Sequence, residues 1–447
     1  MSSSDKPKDA QASDSLAADT QGQRVPVLPE APTRGKKRPG DASGLLARLS
    51  RWLERDQLPR ESEIGTLYRA KLTDVAANKL AKQWGERYLQ ADGPERCSLL
   101  AGLVQAGVGL EPRGDQGFRL FRRLYAQTDN LQMLVELRAD MLRWRNQVAG
   151  LAVLEHELES LLSSWFDVGM LELRPINWDS PASLLEKLIQ YEAVHEILSW
   201  EDLRRRVASD RRCYAFFHPR MNGVPLIFVE VAFSQQMADN VQVLLDPDDL
   251  AVDPGKMRWA IFYSISNTQS GLRGISFGNF LLKRVIDELV REFPRLKSFA
   301  TLSPIPKFAD WLGKQDGASI QALLYDKGDK QAAADDPGAG AKWVERLRAA
   351  ATDASCADTV RRSGLRLAAH YLKSMKNNQP LDPVARFHLG NGARIERVNW
   401  AGDTSPKGLT QSCGVMTNYV YELDELDDNF ARLNAGRPRV SRAIQWL

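Results

Sequence analysis

Residues Trp259–Pro306 read WAIFYSISNTQSGLRGISFGNFLLKRVIDELVREFPRLKSFATLSPIP. An apolar strand runs into a turn with glycines at 271, 274 and 278. The turn opens an amphipathic helix. Phe280, Leu281, Leu282, Val285, Ile286, Leu289 and Val290 fall on its apolar side, and Lys283, Arg284, Asp287, Glu288, Arg291 and Glu292 on its wet side. A second strand ends on Ser303-Pro304-Ile305-Pro306. Glycines let backbone N–H groups converge where a β-carbon would clash, and a helix N-terminus offers unpaired donors and partial positive charge. The stretch Arg273, Gly274, Ile275, Ser276, Phe277, Gly278, Asn279 is therefore a candidate phosphate cradle, with Arg273 as a charge-assisted contact. The same arrangement also occurs as plain structure. The spacing fits neither GxxxxGK[ST] nor GxGxxG, which weakens ATP and NAD as ligands and leaves the coenzyme A pyrophosphate.

Working toward the N-terminus, the pattern becomes helical. Leu131, Leu134, Leu137, Met141 and Trp144, then Leu151, Leu154, Leu158, Leu161 and Leu162, repeat at helical spacing. Residues 44–165 are expected to form a helical bundle. Residues 1–43 are too poor in large apolar side chains to offset the entropy of ordering and are expected to be a disordered tail. After Trp165 the period changes: Leu171–Ile176 reads as a short strand, and Ser180-Pro181 as the capped start of a helix. Two β-rich runs, Cys213–His218 and Pro225–Phe233, bracket Asn222-Gly223 as a hairpin. Toward the C-terminus, residues 326–342 read as an exposed loop and Val360–Met375 as a helix. Val384–Leu389, Ala393–Trp400 and Cys413–Leu423 follow, the last alternating as a half-buried strand does. The reading is an α+β chain with more strands than helices over 166–447.

Composition bounds the rest. The chain has 447 residues, 43% hydrophobic and 26% charged, with a net charge of +3 from 60 basic and 57 acidic residues. That balance gives no general reason to expect a nucleic-acid partner. Four scattered cysteines form no CxxC pair, so neither a zinc site nor a disulfide scaffold is expected. No apolar run is long enough to span a membrane, and the first twenty residues lack a signal core, so the expected location is cytoplasmic.

The run FYSISNTQSGLRGISFGNFLLKRVIDELVREFPRLKSFATLSPIPKF resembles the core of the malonyl-CoA decarboxylases. So do RRCYAFFH (211–218), PVARFHLGNGARI (383–395) and SCGVMTNYVYEL (412–423), and the resemblance extends in order over roughly residues 44–447. It implies a helical N-terminal region used in oligomer assembly, as a tetramer or dimer of dimers, followed by a catalytic domain of the acetyltransferase-like (GNAT) fold. It also implies cleavage of malonyl-CoA to acetyl-CoA and carbon dioxide with no metal or organic cofactor. The family's catalytic serine falls on Ser303 and its catalytic histidine on His388. The substrate-contacting turn falls on Arg273 through Asn279, with Ser276 where relatives carry Glu. On residues alone, Ser303 reads as a turn cap and His388 as a core histidine; Tyr421 reads as either a core tyrosine or an orienter of His388.

The implied reaction needs an oxyanion stabilised on the thioester and a proton delivered to the α-carbon. His388 fits the proton donor. Ser303 could bind the departing carboxylate or relay a proton, and without a GxSxG elbow it is a poor candidate for a covalent acyl-serine. Two other functions compete: a CoA-dependent N-acyltransferase, which would need an amine pocket, and a malonyl-CoA sensor that binds without turnover.

Overall fold

The computed structural model describes residues 61–107, 116–246, 252–275, 281–324, 338–353 and 355–447. The expected tail at 1–43, positions 276–279 of the cradle and most of the expected loop at 326–342 lie outside them. That loop ends earlier than the sequence suggests, because a helix begins at Ala339.

Among the described residues six helices lead: α1 (Glu61–Arg69), α2 (Val75–Gln90), α3 (Gly93–Ala106), α4 (Gln116–Thr128), α5 (Leu131–Trp144) and α6 (Leu151–Trp165). Their starts are written in the sequence. Asp74, Asp92 and Asn130 each accept a backbone N–H from the first turn of the helix they precede. The leucine stripes of α5 and α6 are buried, as their spacing predicts. Arg123 on α4 is fully buried and donates to the carbonyls of Ala70 and Lys71, tying α4 to the link between α1 and α2.

The remainder is one mixed sheet with helices around it. The strands are β1 (Glu172–Ile176), β2 (Arg211–Phe217), β3 (Pro225–Ser234), β4 (Trp259–Asn267), β5 (Ser298–Thr301) and β6 (Ser303–Pro304). A small separate pair, β7 (Met375–Lys376) and β8 (Gln379–Pro380), precedes β9 (Arg394–Asn399) and β10 (Met416–Tyr421). Interspersed are α7 (Ala182–Tyr191), α8 (Trp200–Arg206), α9 (Val241–Leu244), α10 (Leu281–Glu292), α11 (Phe308–Leu312) and α12 (Gly317–Leu324). The last are α13 (Ala339–Ala351), α14 (Asp358–Lys373), α15 (Pro383–Gly390), α16 (Pro406–Ser412), α17 (Leu426–Asn434) and α18 (Arg442–Gln445).

The sheet runs β1-β2-β3-β4-β5-β10-β6, with β9 on the other edge of β10. Its first four strands are antiparallel, and β4 pairs β5 in parallel across the α10 crossover. The hairpin at Asn222-Gly223 forms as expected, with Gly223 at φ 68°.

Three expectations need correction. Among the described residues helices outnumber strands beyond residue 166, and Val384–Leu389 lies in α15 rather than in extended chain. Asp382 caps that helix through the N–H groups of Val384 and Ala385, and Pro383 at the first position is preset for helix. Ser180 does not cap α7; its Oγ accepts from Asn177 N instead, at 3.1 Å. Finally β10 is buried at every position rather than half-buried, since both its faces are covered: Tyr419 and Tyr421 pack in one apolar cluster, and Met416 and Val420 in another. A single apolar core joins the helical region to one face of the sheet.

Candidate active site

The site lies where β4 parts from its neighbour. β4 and β5 pair through Phe262 and Thr301, and Leu302 N still donates to Phe262 O at 3.0 Å. Beyond that point β6 stays with β10 while β4 diverges. The β3–β4 register shifts between Glu230 and Val231, so Tyr263 is an extra residue on β4; bulges of this kind bend a strand beside functional sites. The opening leads into a cavity of about 570 Å³ lined by Ser264, Gly274, Ile275, Ser303, His388 and Asn391 among others. That volume suits a small-molecule ligand.

Ser303, His388 and Tyr421 meet there. Ser303 opens β6, His388 sits in the last turn of α15 and Tyr421 ends β10. His388 Nε2 is 3.1 Å from Ser303 Oγ, across 85 residues of sequence. Its Nδ1 is 2.7 Å from the Tyr421 hydroxyl. Ser303 Oγ donates to Thr301 Oγ1 at 2.8 Å, and the same Thr301 oxygen accepts Tyr419 N–H at 3.1 Å. The Tyr419 ring lies 4.6 Å from the His388 ring at an interplanar angle of 27°. All these side chains are buried.

The direction of this chain of bonds follows from counting donors. Tyr421 has no other acceptor among the described residues, so its O–H donates to Nδ1. Neutral imidazole then carries its proton on Nε2, which donates to Ser303 Oγ, while the serine proton rests on Thr301. Burial holds His388 neutral, with its pKa pushed down to about 3, and pushes the Tyr421 phenol well above its ordinary value. A serine–histidine–aspartate triad is wired the other way: the carboxylate accepts from Nδ1 and Nε2 is left as a base. Here Nε2 is an acid.

The other end of the cavity is the glycine turn. Ser270–Leu272 forms a short 3-10 turn after β4, and Gly274 (φ 83°) and Ile275 line the cavity. Ser276, Phe277, Gly278 and Asn279 lie outside the described residues. The Arg273 side chain is exposed and is not part of the lining. Gly271 has a different use from the one expected. A Cβ there would fall 1.8 Å from the Val135 carbonyl of α5, so this glycine permits close docking on the helical region rather than a backbone nest.

Several residues of this site carried no signal in the sequence that could be read by spacing. Thr301 and Tyr419 look like ordinary strand residues. Asn391, whose Oδ1 has no hydrogen-bond partner among the described residues, looks like part of an Asn-Gly turn. Arg138 could have been found: it sits one turn from Leu134 on the apolar stripe of α5, where a charge needs a partner. Among the described residues no group of three or more His, Cys, Asp or Glu is placed to hold a metal ion. No helix among them is long and apolar enough to cross a membrane.

Comparison with known proteins finds relatives over most of the chain. A family model described as the malonyl-CoA decarboxylase C-terminal domain matches residues 169–447, and one described as the N-terminal domain matches residues 110–166. The chain is 36% identical over 433 residues to the mitochondrial malonyl-CoA decarboxylase of Anser anser anser, covering 91% of this chain and 83% of that protein. It is 39% identical over 363 residues to the one of Rattus norvegicus, covering 77% and 73%. Among solved structures, the malonyl-CoA decarboxylase from Cupriavidus metallidurans is similar at 51% identity and a TM-score of 0.76, over 87% of this chain and 98% of that one. The one from Rhodopseudomonas palustris is similar at 35% identity and a TM-score of 0.69, over 87% and 99%.

Proposed function

The chain belongs to the malonyl-CoA decarboxylase family, and from that premise we propose that it converts malonyl-CoA to acetyl-CoA and carbon dioxide through a thioester enolate protonated by His388. The observation that supports this most is that His388 contacts both Ser303 and Tyr421 at the cavity, with the serine proton on Thr301, so that Nε2 is assigned as the donor.

Loss of carbon dioxide breaks the bond between the α-carbon and the carboxylate, and its electron pair moves onto the thioester oxygen. Donors lining the cavity would stabilise that oxyanion, on a scale of ~10²–10³ in rate for each. The enolate is then protonated at carbon. A thioester enolate is a much stronger base than imidazole, so neutral His388 can give up its Nε2 proton while Tyr421 donates toward Nδ1. Ser303 Oγ keeps that Nε2–H at the cavity wall, and its own proton can swing from Thr301 to the substrate carboxylate. A nucleophilic Ser303 is disfavoured, since no basic nitrogen faces it.

Arg273 through Asn279 is proposed as the binding segment for the CoA moiety, with Gly274 and Ile275 at the cavity. Residues 44–165 and 166–447 are proposed as the oligomerising and catalytic domains of a cytoplasmic homo-oligomer that needs no added cofactor. Purified protein incubated with malonyl-CoA should release carbon dioxide and acetyl-CoA in equal amounts with no amine present. An absolute need for an amine acceptor would instead indicate acyl transfer, and binding without turnover would indicate a sensor.

A further inference from the structure

The glycine turn is held both by its own backbone bonds, from Leu272, Arg273 and Ile275 N–H to the carbonyls of Gln269, Ser270 and Leu272, and from outside. Arg138, on α5 of the helical region and almost wholly buried, reaches across to it. Its Nη1 donates to Gly271 O at 2.7 Å and to Arg273 O at 2.8 Å. Its Nε donates to Glu155 at 2.9 Å, and Nη2 is 3.1 Å from Glu159. The two carboxylates fix the guanidinium, and the guanidinium fixes two successive bends of the turn. Glu159 is also at the turn itself: a Cβ on Gly274 would lie 3.2 Å from its Oε1.

A trans peptide points its N–H opposite to its C=O. With the Arg273 carbonyl drawn toward Arg138, the N–H of the same peptide, that of Gly274, is turned away from Arg138. Gly274 lines the cavity, and its N–H has no hydrogen-bond partner among the described residues. A cation on the carbonyl also polarises the peptide and strengthens its N–H as a donor. We propose that Arg138 is a positioning residue for substrate binding, which aims the Gly274 N–H at a phosphate oxygen of the bound CoA thioester. The inference rests on the reading of the turn as the CoA site and adds a residue from outside the sheet region to that site. Only a planar fork can serve two carbonyls and two carboxylates at once, so lysine is not an equivalent.

The test compares malonyl-CoA with malonyl-pantetheine, which lacks the phosphates. Arg138→Met should raise KM for malonyl-CoA by about ten- to a hundredfold, the value of one charge-assisted hydrogen bond, with kcat changed by less than about threefold. KM for malonyl-pantetheine should be unchanged, and Arg138→Lys should fall between the variant and the parent. An equal rise for both substrates, or a loss confined to kcat, would overturn the proposal. Arg138 is buried, so a second variant covers the case in which its replacements do not fold. Glu159→Gln, at a partly exposed position, should then give a smaller rise of about two- to threefold for malonyl-CoA only, and its absence would equally overturn the proposal. If the parent protein binds CoA but turns over nothing, the decarboxylase reading fails. Calorimetric affinities for CoA and pantetheine then replace KM and judge Arg138 on their own.

Discussion

The two ends of the cavity are held in different ways. At the chemical end, Ser303, His388, Tyr421 and Thr301 satisfy one another, and all four come from the sheet region. At the glycine turn, the backbone takes its support from α5 through Arg138 and through the contact of Gly271 with Val135. One end is closed on itself; the other is borrowed from a neighbouring region. The difference implies that turnover and affinity are separable, and that changes in the helical region reach the substrate through the turn.

The strongest test of that separation is His388→Ala, which should lower kcat by ~10²–10⁴ while the Kd for CoA stays near that of the parent. A matching loss of CoA affinity would break the comparison. Ser303→Ala should follow with a kcat loss of about a hundredfold, again without a change in affinity. Gly271→Ala acts on the other end. Its new methyl has no space against Val135, so unfolding should become easier by about 1–3 kcal/mol, with a raised KM and a kcat little changed. Thermal melts and steady-state kinetics on one preparation would check it.

The effect most spread out over conditions concerns pH. Unfolded histidine titrates near 6.5, whereas folded His388 is held down to about 3, so below pH 6.5 the unfolded chain binds the extra proton. Stability is therefore present in full above about pH 6.5 and is lost toward pH 3, at about 1.4 kcal/mol per pH unit at most from this residue. His195, lowered to about 4 by burial, acts in the same sense. Denaturant melts from pH 7 to 4.5 should show a shallower acid decline for His388→Ala than for the parent. An identical slope would mean that His388 is not held neutral by its surroundings.

How much of this could be read in advance differs from element to element. The strand, glycine turn and helix of 259–292 were legible because each is set by local pattern, and the bundle helices because their caps and leucine stripes are local too. Ser303 and His388 were recognisable only by resemblance, since no spacing rule joins residues 85 apart. The helix at Pro383–Gly390 was missed although its Asp-Pro start was in plain view, because its short apolar run fits strand and helix alike. The role of Gly271 depends on a tertiary contact with α5, and nothing in its neighbours distinguishes close docking from a phosphate nest.

From Tyr421 to Thr301 the hydrogen-bonded chain contains four side chains and, with His388 neutral, no formal charge. A substrate carboxylate that replaces Thr301 as the acceptor of the Ser303 proton would then bring a formal charge to that chain. For each substrate anion that enters, one proton must follow, and both products leave that end neutral. Turnover on such a chain of side chains is electrically self-balancing: it is neutral before the substrate enters and neutral again once the products have left.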